Sequence, residues 1–230
     1  VGLDNNLDDY PVDGTNMILR EMMAVSSQPG VNLVIFVDGY QSRLDPGLTH
    51  VFYVNSGNLI PIPLTQVNSS WTYTNVNSGS EQTLLDYMLF CTELFPADNY
   101  VLQMVDHGGG WMGQCWDEPA GERITNQGFV GAMSEFSAAV GKKLDLLVFA
   151  ECMMSQLEVL YPLEEYVDVI VGSEQVTQPT AGYQTVGTNA FIMSKDKENG
   201  EIAVDVVNAM MANYRATQVT IQLCAVKLDG

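Results

Sequence analysis

Two stretches of the sequence place a reactive side chain where an apolar run stops. Tyr100 to Asp106 leads into His107-Gly108-Gly109-Gly110-Trp111, and Leu144 to Ala150 leads into Glu151-Cys152. A cysteine beside a histidine suits nucleophilic catalysis. The imidazole takes the thiol proton, the sulfur attacks a carbonyl carbon, and the imidazolium returns the proton to the leaving amine. The glycines after His107 clear side chains from the path of a substrate backbone. The backbone amides of Gly108 and Cys152 are candidate oxyanion donors, each contributing about 3 kcal/mol in such a role. A cysteine taken alone is usually a small buried hydrophobe. His-Gly-Gly-Gly also fits the oxyanion loop of a serine hydrolase, but that reading needs a Gly-x-Ser-x-Gly turn. Gly172-Ser173-Glu174 lacks the second glycine.

The elements that must position this pair are legible as alternating periods. Continuous apolar runs at Asn32 to Asp38, Val51 to Asn55, Tyr100 to Asp106, Leu144 to Ala150, Val167 to Gly172 and Val219 to Val226 read as strands covered on both faces. Helical spacing appears at Ile18, Met22 and Val25, at Leu84, Met88, Cys91 and Phe95, at Phe129, Met133, Phe136 and Val140, and at Ile202, Val206 and Met210. Met153, Leu157 and Leu160 predict a helix over 153–166 that starts directly after Cys152, so that its dipole favours the thiolate. Ser78 and Glu81 have capping-box spacing. Segments 56–79 and 107–126 read as loops. Strand-helix alternation predicts one α/β domain over 1–230, a three-layer α/β/α sandwich around a mostly parallel sheet. In such sheets, sites form outside the carboxyl ends of strands, where His107 and Cys152 both fall. The chain opens on what reads as the tail of a first strand and stops just after a strand, which points to a longer parent protein.

A net charge of −19 with 9 Lys+Arg repels nucleic acid phosphates. No apolar run reaches eighteen residues, so no membrane span is expected. The opening residues carry no basic leader region, so no signal peptide is read in this chain. Cys91, Cys115, Cys152 and Cys224 lack zinc-ligand spacing, and no metal site is assigned from them. Asp4, Asn6, Asp8 and Asp9 miss the EF-hand pattern and read better as a helix entry.

His107-Gly-Gly-Gly-Trp111 and Phe149-Ala-Glu-Cys-Met-Met154, the latter followed by Leu157-Glu-Val159, resemble the histidine and cysteine motifs of the clostripain family of cysteine peptidases. Asp4-Asn-Asn-Leu7 and Gly172-Ser-Glu174 resemble two further family segments. The resemblance implies a caspase-haemoglobinase-like fold and peptide-bond hydrolysis by a Cys-His dyad through an acyl-enzyme. It also implies peptide or protein substrates, secretion or a bacterial cell-envelope location, activation by self-cleavage, and calcium as a cofactor of some members. Arg123 is the one basic residue of the 111–127 segment, the place for such a cleavage. Members that cut after Arg or Lys carry Asp two residues before the cysteine, where this chain has Ala150, and the Gln178 to Tyr183 segment adds no carboxylate. A buried cation needs a paired negative charge, so a non-basic P1 preference is expected, with Ala150, Glu151 and Glu174 as substrate-pocket candidates. The rival reading is a catalytically silent relative that serves as a binding module in a larger surface protein. The sequence sets no oligomeric state.

Overall fold

The computed structural model describes residues 2–3, 14–25, 28–39, 48–178, 182–219 and 221–228. Its elements, in chain order, begin with β1 (Gly2–Leu3), α1 (Gly14–Met23), β2 (Leu33–Gly39), β3 (Thr49–Asn55) and β4 (Asn58–Ile62). Next come α2 (Leu64–Val67), α3 (Glu81–Leu94), β5 (Val101–Val105), β6 (Gln114–Asp117), β7 (Glu122–Ile124) and α4 (Asn126–Val140). The chain closes with β8 (Leu144–Ala150), α5 (Leu157–Leu160), β9 (Val167–Gly172), α6 (Tyr183–Met193), α7 (Asn199–Ala216) and β10 (Cys224–Lys227).

The strands form two four-stranded sheets, ordered β1-β2-β3-β4 and β10-β9-β8-β5, with β6 and β7 as a separate hairpin. β5, β8 and β9 run parallel, as does the β1-β2 pair. β3, β4 and β10 are antiparallel to their neighbours. The architecture is therefore α/β and layered as expected, but its sheets are mixed rather than mostly parallel. One antiparallel pair, β3-β4, arises at Ser56-Gly57, where both residues take positive φ (50° and 80°). Such a pair closes a two-residue hairpin turn whose twist matches the strands, so β4 folds back on β3 inside the segment read as a loop.

Alternate residues of the central strands face opposite layers. Leu102, Met104, Leu147, Phe149 and Ile170 pack with α3 and α4 through residues such as Leu84, Met88, Phe129 and Met133. Leu146, Val148, Val169 and Val171 pack with α6 and α7 through Tyr183, Ile202, Val206 and Met210. Val105 and Ile35 join Ile18, Met22 and Ile192 of α1 and α6. Helix α6 carries no amphipathic stripe that the sequence made evident. It is anchored by Glu21 of α1, whose Oε1 accepts from the Gly182 amide at 2.6 Å and whose carbonyl accepts from Thr185 Oγ1 at 3.1 Å. The expected helix at 153–166 is instead an irregular turn over Glu151 to Gln156, then α5 and a 3-10 turn at Tyr161–Leu163. No described helix is long and apolar enough to cross a membrane.

Candidate active site

The β5-β8 ladder pairs Val105 with Ala150. His107 and Cys152 stand two residues beyond these partners, past the end of the ladder. Val105 and Ala150 face the α1 and α6 side, and strand parity, if carried two residues further, would turn His107 and Cys152 the same way. Asp106 and Glu151 follow the opposite parity, toward α3 and α4.

Gly108 shows how closely the two strand ends meet. A Cβ on it would lie 2.2 Å from the Cys152 carbonyl oxygen, 3.0 Å from the Cys152 nitrogen and 2.8 Å from Met154 Cγ. Only glycine allows this approach. The Cys152 turn is held from its other side by the segment after β9. The Met153 amide donates to the Gln175 carbonyl and the Ser155 amide to the Ser173 carbonyl, both at 3.0 Å. Met153 takes φ 59°, a costly left-handed conformation for a non-glycine residue. It turns the fully buried Met154 into the core beneath Gly108. The dipole of α5 does not act on Cys152 as expected, because this helix begins only at Leu157 and has four residues. Thr177, which no sequence pattern singles out, holds the sulfur instead. Its amide donates to Cys152 Sγ at 3.3 Å, and its carbonyl accepts from the thiol at 3.4 Å. Neither the Gly108 amide nor the Cys152 amide donates to a backbone carbonyl among the described residues.

His107 is half-buried, and its amide donates to Asp106 Oδ1. Its carbonyl accepts from the Cys115 amide at 3.2 Å. Its ring meets Trp116 edge-on with centroids 6.5 Å apart. Burial lowers the imidazole pKa below its ordinary value, against the opposing charge of Glu118. A neutral imidazole at neutral pH can accept a thiol proton. The β6-β7 hairpin thus backs the histidine, a role hidden in a segment read as a loop. Arg123 lies in β7, with its Nε donating to the Met112 carbonyl at 2.7 Å and its guanidinium 6.0 Å from the Trp116 ring. Cleavage after Arg123 would require this paired hairpin to open.

The three pocket candidates separate. Ala150 packs between the two apolar layers on the α1, α6 and α7 side. Glu174 is exposed. Glu151 is 1% exposed; its Oε1 accepts from Cys115 Sγ at 3.4 Å, and its Oε2 has no hydrogen-bond partner among the described residues. Burial pushes the Glu151 carboxyl up to about 8. The folded state therefore holds a proton that the unfolded chain releases near pH 4.5. Stability from this group is full below pH 4.5 and is lost progressively as pH rises to about 8. Glu151→Gln should remove that slope. In urea unfolding, its stability relative to wild type should rise between pH 5 and pH 8 by a few kcal/mol, with a ceiling of about 5; parallel curves would refute the assignment.

Among the described residues, no three His, Cys, Asp or Glu side chains group as a metal site. The Asp4, Asn6, Asp8 and Asp9 cluster lies outside the described residues.

Residues 1–229 match the sequence profile of the clostripain family. Clostripain from Hathewaya histolytica is 32% identical over 98 residues, covering 37% of this chain and 18% of that protein. Among solved structures, a secreted cysteine protease from Bacteroides thetaiotaomicron in complex with an irreversible peptide inhibitor superposes with a TM-score of 0.72 at 19% identity, covering 99% of this chain and 64% of that one. An inactive protease zymogen from Parabacteroides distasonis gives a TM-score of 0.68 at 23% identity, covering 99% and 60%. The chain thus spans less than two thirds of each of these relatives.

Proposed function

This chain belongs to the clostripain family, and on that premise we propose that it is the catalytic part of a cysteine endopeptidase with Cys152 as nucleophile and His107 as acid and base. The observation that supports this reading is the wedge of Gly108 against the Cys152 backbone, two residues beyond the end of the β5-β8 register. His107 takes the thiol proton as the sulfur bonds to the scissile carbonyl carbon. The Gly108 and Cys152 amides receive the oxyanion. The carbon–nitrogen bond breaks, the imidazolium protonates the leaving amine, and an acyl-enzyme thioester remains. Water then gives its proton to His107 and attacks the thioester; the carboxylate leaves and the thiol is regenerated. The secreted relative supports a place outside the cytoplasm.

The P1 residue is read as non-basic. Ala150 offers a methyl group, Glu151 is buried against Cys115, and Glu174 lies in solvent. None of the three is a desolvated carboxylate able to pair with a P1 cation. A set of peptidyl-coumarin amides varied at P1 tests both levels of the reading. The expected result is hydrolysis abolished by iodoacetamide, with Arg and Lys favoured over neutral residues by less than about tenfold, or 1.4 kcal/mol. A strong Arg or Lys preference would overturn the specificity reading alone. No hydrolysis of any member would favour a silent binding module.

A further inference from the structure

Two buried tyrosine hydroxyls on the α6 and α7 side of the sheet lack a hydrogen-bond partner among the described residues. Tyr183 opens α6 and is 4% exposed; Tyr214, near the end of α7, is 1% exposed. Their rings meet edge-on, with centroids 5.0 Å apart. Each hydroxyl acts on the other's titration, yet even a bond between the two would leave one donor and several acceptor lone pairs open. An unpaired hydroxyl in an apolar layer is costly, and two in one place call for a partner.

The pair lies beside the nucleophile. Thr177, whose amide and carbonyl hold the Cys152 sulfur, is six residues ahead of Tyr183. Ala150, two residues before Cys152, packs on the apolar layer that contains both tyrosines. Burial raises both phenol pKa values, and charge on Cys152 raises both further, so the hydroxyls stand within the electrostatic reach of the sulfur. Resting on the peptidase reading above, we propose that Tyr183 and Tyr214 form the polar end of the P1 pocket, and that this pocket takes a primary carboxamide, the side chain of asparagine or glutamine. A carboxamide offers two N–H donors and a carbonyl acceptor, and each hydroxyl both donates and accepts. An aliphatic side chain would leave both hydroxyls unpaired, and a site that bonds a polar group rejects the analogue lacking it. A carboxylate would be repelled by a thiolate at Cys152. A cation would have no ionised carboxylate to pair with, because Glu151 keeps its proton at neutral pH.

Peptidyl-coumarin amides with Asn, Gln, Leu or Glu at P1 test the assignment in wild type, Tyr183→Phe and Tyr214→Phe. Leucine has the shape of asparagine without its amide. In wild type, kcat/KM for Asn or Gln should exceed that for Leu and for Glu by about tenfold or more. Each Phe variant should shrink the amide-to-Leu ratio about fivefold, and should melt no lower than wild type, since it removes a buried hydroxyl without a partner. Leu or Glu cleaved as well as both amides, or a ratio that survives both Phe changes, would overturn the proposal. So would a lower Tm with all substrates slowed alike, which would make the hydroxyls part of the fold through a buried water. If no substrate is cleaved, fluorescein-labelled peptides with the same P1 residues are titrated onto Cys152→Ala by anisotropy, with and without each Phe change. An amide preference lost with either hydroxyl would keep the pocket while the peptidase reading falls; equal binding of the Asn and Leu peptides, or binding of neither, would overturn the pocket.

Discussion

Cys152→Ala should lower kcat/KM for peptide hydrolysis by roughly ten-thousandfold or more, and His107→Ala by a similar factor. The double variant should be little worse than either single one, because residues acting as a unit are not additive. Without the sulfur no acyl-enzyme forms; without the imidazole the thiol keeps its proton and the amine leaves unprotonated. Residual activity would come from the Gly108 and Cys152 amides and from substrate binding. A second readout separates assembly of the pair from turnover. Iodoacetamide should alkylate Cys152 ahead of the other thiols near neutral pH, and His107→Ala should slow that reaction. Burial pushes the Cys91 thiol up to about 12 and raises that of the fully enclosed Cys115 as well, so neither of these two competes. Hydrolysis surviving in Cys152→Ala, or alkylation indifferent to His107, would remove the pair from the mechanism.

The places of His107 and Cys152 just past strand ends were legible because a covered parallel strand announces itself as a continuous apolar run. Glu151 shows where that logic stops. Its neighbour Cys152 suggested a pocket wall, but parity turns it to the opposite face, against Cys115 of a hairpin that the sequence disguised as a polar loop. The helix expected after Cys152 failed for a related reason. Met153, Leu157 and Leu160 have helical spacing, yet Ser173 and Gln175 draw the backbone of 153–155 into bonds with the next strand's end, and tertiary pairing overrides local propensity. Thr177 was beyond reach, since its contacts with the sulfur join segments 25 residues apart. Helix α6 has little period to read, and its start depends on Glu21 from a distant helix.

Gly108→Ala should be the most damaging single-methyl change at the site. The added Cβ would lie 2.2 Å from the Cys152 carbonyl oxygen, a backbone atom that no rotamer change can move. Relief requires the ends of β5 and β8 to part, which shifts His107 relative to Cys152 and displaces one oxyanion donor. Overpacking of this kind costs about 1–3 kcal/mol of stability. The larger effect falls on kcat, where misplacement by about 1 Å lowers the rate roughly a hundredfold. KM should change less, because substrate contacts remote from the scissile bond persist. Met154→Ala would relieve the 2.8 Å contact with the side chain but not the contact with the backbone, so adding it to Gly108→Ala should not restore kcat. Gly131→Ala is the matched control. It lies within α4 with nothing near the added methyl, so it should gain about 0.5–1 kcal/mol of stability and leave kcat unchanged. Steady-state kinetics beside urea unfolding for the four variants separates a positional defect from a general loss of fold. If kcat of Gly108→Ala matched wild type, the two strand ends would have room that the backbone contact denies, and the oxyanion role of this turn would fall with it.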